Sequence, residues 1–178
     1  AVYGSALVAP VLAGEPPFTQ GTTNELTWSP VAGAAGYLLE WSRDTNFSPL
    51  DGQGGWQPAT SFSATSLTDG STYHYRVKCR NAAMVDSPWS NIVSSRQDAS
   101  APTAPGTPGD IGAYSSSTSV VFNWTAATDN VSGVASYDLQ VGTTPGGSNI
   151  FDASVGNVLT RTVSGTNGQS LYARVRAW

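Results

Sequence analysis

The sequence contains few of the residues that catalytic, metal-binding and nucleic-acid-binding proteins use. Of its 178 residues only 11% are charged, against about a quarter in typical globular domains. The formal net charge is −4 and Lys78 is the single lysine, so no basic field attracts a phosphate backbone and we expect no nucleic-acid partner. No apolar run approaches the roughly 20 residues that span a bilayer, so we also expect no membrane insertion.

One cysteine and one histidine leave little scope for disulfide, metal or nucleophilic chemistry. Cys79 cannot form an internal disulfide, and its place on the apolar phase of its segment predicts a small buried core residue rather than a reactive or interchain thiol. His74 lies on the opposite, polar phase, so it does not assemble with Cys79 into a catalytic pair. Asp129 and Asn130 could offer oxygens to calcium, but their loop lacks the dense ligand spacing of a dedicated site. We therefore predict no catalytic residue, no cofactor and no metal site.

One template is present twice in the chain. The first copy runs from residues 26–28 through 36–41 to 69–77, and the second from 122–124 through 136–141 to 167–175. Between the tryptophan and the Arg-Val pair the copies cover residues 28–76 and 124–174, which are nearly equal lengths. Such self-similarity indicates two structural repeats rather than one large domain.

Apolar residues alternate with polar ones throughout both copies, which is the period of a half-buried β-strand. Turn clusters rich in Gly, Asp, Asn and Pro separate these segments, and no window of similar length has a helical period. The pattern predicts an all-β fold of two antiparallel sandwiches. The predicted first core contains Trp28, Tyr37, Leu39, Trp41, Tyr73, Tyr75 and Val77, and the predicted second core contains Phe122, Trp124, Tyr137, Leu139, Val141 and Val175.

These residues resemble the framework of the immunoglobulin-like fibronectin type III family. The tryptophan at 28, the Tyr-x-Leu-x-Trp segment at 37–41 and the segment 67–77 are its counterparts. The resemblance implies that Tyr73 is the corner tyrosine whose hydroxyl returns to the backbone near Leu67. In the second copy Leu171 takes that position and Tyr172 lies on the other phase, so the bond is expected to be lost. Segments 128–137 and 141–147 look like modules of bacterial secreted and surface proteins.

The predicted domain organisation has four parts. Residues 1–9 form an N-terminal extension, 10–98 the first domain, 99–108 a proline-rich linker, and 109–178 the second domain, which is incomplete at its C-terminus. Three prolines stiffen the linker region toward an extended conformation, which predicts a short semi-rigid spacer.

The second domain is expected to lack its last strand, because nothing follows its Arg-Val segment to match residues 91–95 of the first copy. If the chain is complete, an apolar segment including Val2, Tyr3, Leu7 and Val8 of one copy is expected to add to the strand containing Arg174, Val175, Arg176 and Trp178 of the next. Such head-to-tail contacts need not close and would build a filament. If the chain is part of a longer protein, the residues that follow supply the strand instead.

Two aromatic features invite a binding interpretation. Arg76, Lys78 and Arg80 share the exposed phase of one strand and are expected to form a cation–π stack with Trp89, in a fragment that looks like half of the Trp-Ser motif of cytokine-receptor modules. The stack favours a structural role over ligand recognition. Trp56 follows a glycine-rich turn, and it could present a platform to a sugar or close the bottom of the core.

The fold family implies no activity of its own. We expect a non-enzymatic structural or adhesive spacer of a bacterial surface or secreted protein, located outside the cell or on its surface, whose partners are other protein modules, copies of itself or glycans. The alternatives are the repeating subunit of an extracellular filament and the carbohydrate-binding accessory of a secreted polysaccharide enzyme.

Overall fold

A computed structural model describes residues 6–110, 112 and 114–178 of the chain. All regular secondary structure in these residues is β-strand, and the chain divides into two compact units, 1–100 and 101–178. Among the described residues no helix has the length and apolarity needed to cross a membrane. The two units correspond to the two sequence repeats.

Unit 1 is a sandwich of a five-stranded and a two-stranded sheet. The larger sheet has the order β1-β7-β6-β3-β4, the smaller one pairs β2 with β5, and an isolated bridge joins Leu12 to Trp28 of the smaller sheet. All pairs are antiparallel except β1 with β7, which is parallel and differs from the purely antiparallel prediction. The strands are β1 (Phe18–Gln20), β2 (Asn24–Thr27), β3 (Gly36–Ser42), β4 (Gly52–Gln53), β5 (Ser61–Ala64), β6 (Thr72–Arg80) and β7 (Val93–Asp98).

The core of unit 1 lies between these two sheets. Every residue of β6 on the apolar phase is buried and every residue between them is half-buried, so the alternation in the sequence fixes which face packs inward. The predicted core residues Trp28, Tyr37, Leu39, Trp41, Tyr73, Tyr75 and Val77 are all buried, together with Leu7, Leu12, Leu26, Val31, Ala64, Leu67 and Cys79.

Unit 2 repeats this plan with fewer strands. A three-stranded sheet has the order β10-β9-β12, and a two-stranded sheet pairs β11 with β8. Within the described residues nothing pairs with the second edge of β12, whereas β7 pairs with β6 at the corresponding edge of unit 1. The strands are β8 (Ser119–Asn123), β9 (Tyr137–Gly142), β10 (Phe151–Gly156), β11 (Thr160–Ser164) and β12 (Tyr172–Ala177).

The buried core residues of unit 2 lie mainly on β8 and β9, whereas those on β12 are only partly covered. Five of the predicted residues are buried, namely Phe122, Trp124, Tyr137, Leu139 and Val141. Val175, also expected in the core, packs against this cluster but remains partly exposed. The difference follows from the unpaired edge, because a strand with a neighbour on one side leaves its inward side chains less covered.

The described part of the predicted N-terminal extension, residues 6–9, is not separate from the first domain. Leu7 is buried in the core of unit 1, where a Cβ atom at Gly33 would lie 3.6 Å from the Leu7 side chain. Val8 is 70% exposed, but its carbonyl lies 3.7 Å from the Cys79 sulfur. Leu7 is therefore part of the first sandwich, and donating it to another copy would remove a core side chain. Val2 and Tyr3 of the predicted donor strand lie outside the described residues.

The predicted linker, residues 99–108, differs from the semi-rigid spacer that its prolines indicate, because most of it belongs to unit 2. Backbone N–H groups of Thr103 and Gly106 donate to the carbonyls of Thr128 and Thr125 at 2.9 and 3.1 Å. Gly109 forms a bridge with Asn123 of β8. Residues 103–109 therefore lie along unit 2 as its first segment, because their backbone groups find partners at the edge of its smaller sheet.

A polar cluster lies inside unit 1, which the alternation of the sequence did not predict. The Asn24 amide donates to Glu15 at 2.8 Å and to the Ser95 hydroxyl at 3.2 Å. The buried Gln97 amide donates to the Tyr75 hydroxyl at 3.4 Å. Burial raises the pKa of Tyr75 above its usual 10.0, so the phenol stays neutral and can act as a hydrogen-bond partner. The cluster joins the end of the smaller sheet to β7.

Candidate functional site: the outward sheet faces of the two units

The outward face of β6 in unit 1 carries a row of three cations. Arg76, Lys78 and Arg80 occupy alternate positions of one strand, and the residues between them are buried, so all three side chains lie on the outer face. Successive residues on one face of a strand are separated by about 6.6–6.8 Å. That spacing admits one aromatic ring between each pair of neighbouring cations.

Three aromatic rings interleave with these cations. The Arg76 guanidinium lies 4.0 Å from the centroid of Phe47 and 4.1 Å from that of Trp89. Lys78 lies 5.0 Å from Trp89 and 5.7 Å from the next ring, Trp56. Arg80 completes the series at 4.2 Å from Trp56. We call these six residues the cation–π ladder; each of its two tryptophans lies between two cations.

Trp89 is held in the ladder by two serines on either side of it. The N–H groups of Cys79 and Val77 donate to the hydroxyls of Ser87 and Ser90, both at 3.0 Å. The serine N–H groups donate in return to the carbonyls of Cys79 and Val77, at 2.8 and 2.9 Å. The segment therefore continues the pairing of β6 beyond β7, which places the indole of Trp89 on the outer face.

Two carboxylates neutralise part of the ladder. Arg76 donates to Glu40 through Nε at 3.0 Å and through a terminal nitrogen at 2.7 Å, and Glu40 is only 8% exposed. Lys78 donates to Asp86 at 2.6 Å. Glu40 lies directly opposite Arg76 in the β3–β6 register, so strand pairing brings the two together. The face is thus closed by contacts within the unit.

The corresponding face of unit 2 is built differently. Gln140 and Asp138 of β9 lie opposite Arg174 and Arg176 of β12. Arg174 Nε donates to Gln140 at 2.6 Å, and Arg176 approaches Asp138 at 3.4 Å. Together with Val175 these four side chains line an open groove of about 390 Å³.

Trp178 borders this groove. Its indole N–H donates to Asp138 at 2.5 Å, and the Arg176 guanidinium lies 3.8 Å from its ring centroid. Its backbone N–H donates to Ser136 at 2.9 Å, and its side chain remains 51% exposed. A fixed and half-exposed aromatic ring therefore lies beside a polar groove.

The remaining candidate residues are not brought together. His74 lies opposite Ser42 and Ser94 in the β6 registers, while Cys79 is fully buried on the other face. One oxygen of Asp129 accepts hydrogen bonds from the N–H groups of residues 131, 132 and 133 at 2.8–3.2 Å, which stabilises its own loop. Among the described residues no three His, Cys, Asp or Glu side chains form a group that could hold a metal ion.

Tyrosine hydroxyls anchor loops in both units. Thr68 N–H donates to Tyr73 at 3.1 Å, one residue beyond Leu67. A second anchor was not predicted from the sequence: Val31 N–H donates to Tyr37 at 2.8 Å, and Ala127 N–H donates to Tyr137 at 3.0 Å. The presence of a tyrosine at the same position of both repeats could have indicated this anchor. The anchored N–H group lies six residues before the tyrosine in unit 1 and ten residues before it in unit 2.

Comparison with known proteins identifies the fold. The structure is similar to that of the chicken CNTN1 FN1–FN3 domains, with a TM-score of 0.60 and 16% identity over 96% of this chain and 61% of that one. The chain folds as two tandem fibronectin type III sandwiches, the second without its last strand in the described residues. The resemblance and the fold class predicted from the sequence are confirmed.

Similarity in sequence points to a bacterial relative. Over 148 residues the chain is 30% identical to Exoglucanase B of Cellulomonas fimi. The match covers 71% of this chain and 14% of that protein. The chain thus spans about one seventh of the length of that curated relative. No protein-family model matches the chain.

Proposed function

We propose that this chain is a pair of non-catalytic structural modules in a secreted bacterial protein, where it acts as a spacer between other parts. The observation that carries the proposal is the cation–π ladder of unit 1. It brings together three cations and three aromatic rings, and its members contact one another. Such a face adds rigidity to the sheet and offers no free ring to a substrate.

The two independent cores support the spacer role. Each unit has its own buried cluster, so each can resist unfolding separately. The fold is reused for many functions, so the spacer role rests on these packing features and not on the fold alone.

Similarity to an exoglucanase supports the extracellular location. It also favours a second candidate function, that of an accessory module of a polysaccharide-degrading enzyme. Part of the chain matches a small share of that enzyme, which is consistent with an accessory segment of a polysaccharide-degrading protein. In that role the chain would position or bind a polysaccharide and leave hydrolysis to another domain. Filament assembly by donation of residues 2–8 receives no such support, since Leu7 is already in the core.

Force spectroscopy on the whole chain tests the spacer proposal. Two separate unfolding events are expected, and unit 1, residues 1–100, should release about 33–36 nm of chain at about 3.3–3.6 Å per residue. Trp89→Ala should lower the unfolding force of unit 1 and leave the event of unit 2 unchanged. A single gradual extension at low force would contradict the spacer role.

An activity assay tests the non-catalytic part. The purified chain is incubated with soluble cellulose derivatives and other polysaccharides, and released reducing ends are measured. No release above buffer is expected. Hydrolysis that scales with protein concentration and disappears on replacement of one carboxylate would overturn the proposal.

A further inference from the structure

Asp69 holds the backbone that leaves unit 1. It lies in the turn before β6, and Ala99 and Ser100 directly follow β7. The Ala99 N–H donates to one carboxylate oxygen of Asp69 at 2.8 Å, and the Ser100 hydroxyl donates to the other at 2.5 Å. The bond from Ser100 and the bond from Ala99 lower the pKa of Asp69 below its usual 3.8, so this carboxylate is ionised near neutral pH. We call this contact the Asp69 anchor.

The Asp69 anchor extends the ordered part of unit 1 beyond its sheet. The last backbone bond of the sheet is made at the end of β7, where the Gly21 N–H donates to the Asp98 carbonyl at 2.8 Å. Among the described residues the only hydrogen bonds of Ala99 and Ser100 are those to Asp69. One side chain therefore fixes the two residues that follow the strand.

A second anchor fixes the chain where unit 2 begins. Thr103 and Thr128 bond reciprocally: the Thr103 N–H donates to the Thr128 carbonyl at 2.9 Å, and the Thr128 N–H donates to the Thr103 hydroxyl at 2.8 Å. Three residues further on, the Gly106 N–H donates to the Thr125 carbonyl at 3.1 Å. A Cβ atom at Gly106 would overlap the Thr125 hydroxyl, so the backbone runs directly against unit 2 there.

Two residues remain between these anchors. Neither Ala101 nor Pro102 forms a hydrogen bond with any residue that the structure describes. Proline fixes its own φ at about −65° and restricts the preceding residue to extended conformations. Few backbone dihedrals are therefore free to rotate in this connection.

We propose that Asp69 is a positioning residue for the connection between the units: it fixes Ala99 and Ser100 to unit 1 and thereby confines the hinge to Ala101 and Pro102. Without the Asp69 anchor the free segment would begin after Asp98. Its reach would grow from about 7 Å for two residues to about 14 Å for four, at about 3.3–3.6 Å per residue. A spacer that sets the separation of its neighbours needs such a short connection, so the purpose of the anchor rests on the proposed function.

Nitrogen-15 relaxation of the whole chain tests the proposal, because it reports an order parameter for each backbone N–H. Rigid backbone gives about 0.85 and flexible backbone gives values below about 0.6. In the unaltered chain we expect Ala99, Ser100 and Thr103 to be rigid and Ala101 to be lower. Asp69→Ala should bring Ala99 and Ser100 below about 0.6 and leave Thr103 unchanged.

Two further variants and a control separate the parts of the anchor. Asp69→Asn retains one acceptor oxygen and should restore the order of Ala99, whereas Ser100→Ala removes only the hydroxyl bond and should loosen Ser100 more than Ala99. Asp51→Asn is the matched control, because Asp51 is an exposed carboxylate of the same unit that is bonded instead to the backbone and side chain of Arg43. It should leave Ala99 and Ser100 unchanged.

The turn that carries Asp69 is monitored in the same spectra. The N–H groups of Thr68 and Ser71 bond to the Tyr73 hydroxyl and to the Thr68 carbonyl, and their order parameters should not change in Asp69→Ala. Loosening of these two residues together with the connection would make Asp69 a structural residue of the turn and would overturn the proposal.

Two other results would also overturn it. They are low order of Ala99 and Ser100 in the unaltered chain, and unchanged order of both residues after Asp69→Ala. The unfolding events that test the spacer do not enter these measurements, so each proposal can fail without the other.

Discussion

Removal of Trp89 is the most informative perturbation of unit 1, because its ring contacts two cations at once. Trp89→Ala deletes contacts to Arg76 and Lys78 that are worth about 0.5–1 kcal/mol each at partly exposed sites. It also removes apolar burial. A partly buried tryptophan contributes on the order of 100–150 Å², or about 2.5–4 kcal/mol at 25 cal/mol per Å², which is an upper bound.

The loss is limited to the contacts of the ring itself, because both cations keep their carboxylates. Arg76 remains bonded to Glu40 and Lys78 to Asp86. We therefore expect Trp89→Ala to lower the free energy of unfolding by about 2–4 kcal/mol. Trp89→Phe retains a ring between the cations and should recover about half of this.

Urea unfolding with amide hydrogen exchange measures the effect, since urea leaves the ionic strength unchanged. Exchange at the Val77 and Cys79 N–H groups reports on unit 1, because both are bonded to the serines beside Trp89. Trp178→Ala is the matched control in unit 2, where a half-exposed ring contacts one cation, and should cost about 1 kcal/mol or less. A loss below about 0.5 kcal/mol for Trp89→Ala would refute the ladder as a stabilising feature.

Four further substitutions test the Glu40–Arg76 ion pair, the two tyrosine loop anchors and the loss of stability at acid pH. Glu40→Gln should lower stability by about 2–4 kcal/mol in urea unfolding, because Arg76 is left partly buried without its carboxylate, and equal stability would contradict the pairing. Tyr37→Phe and Tyr137→Phe should each lower the free energy of unfolding of their own unit by about 1–2 kcal/mol, because each leaves a buried N–H without its acceptor. Amide hydrogen exchange should become faster in that unit alone. Asp51 has its pKa lowered below the usual 3.8 by the hydrogen bond from Arg43, so its contribution is present above about pH 4 and is lost as pH falls further. Asp51→Asn should therefore flatten the decline in melting temperature between pH 4 and pH 2, and an unchanged decline would exclude this carboxylate as its source.

Both cores could be predicted from the sequence because period-two alternation is a local property. Tyr75 and Val77 lie on the phase that the alternation assigns to the core, and both are fully buried. The same phase puts Arg76, Lys78 and Arg80 on the outer face. A cation–π stack of this row with Trp89 was predicted, and the Trp89 ring lies beside Arg76 and Lys78.

Partners that come from distant segments could not be predicted in this way. The pairing of Glu40 with Arg76 depends on the register between β3 and β6, and the place of Trp56 depends on where its loop crosses that sheet. Sequence reasoning left Trp56 between a ligand platform and a core role, whereas the structure places it between Lys78 and Arg80.

The chain by itself thus determined which residues face inward, since one side of each strand must leave water and the alternation names that side. Only the tertiary structure decided what covers the outward side. Leu7 joined the first core and residues 103–109 joined the second unit, because apolar side chains and backbone groups there found partners far away in sequence. The same dependence gave Arg76 a carboxylate partner in Glu40 and placed Arg174 opposite the neutral amide of Gln140.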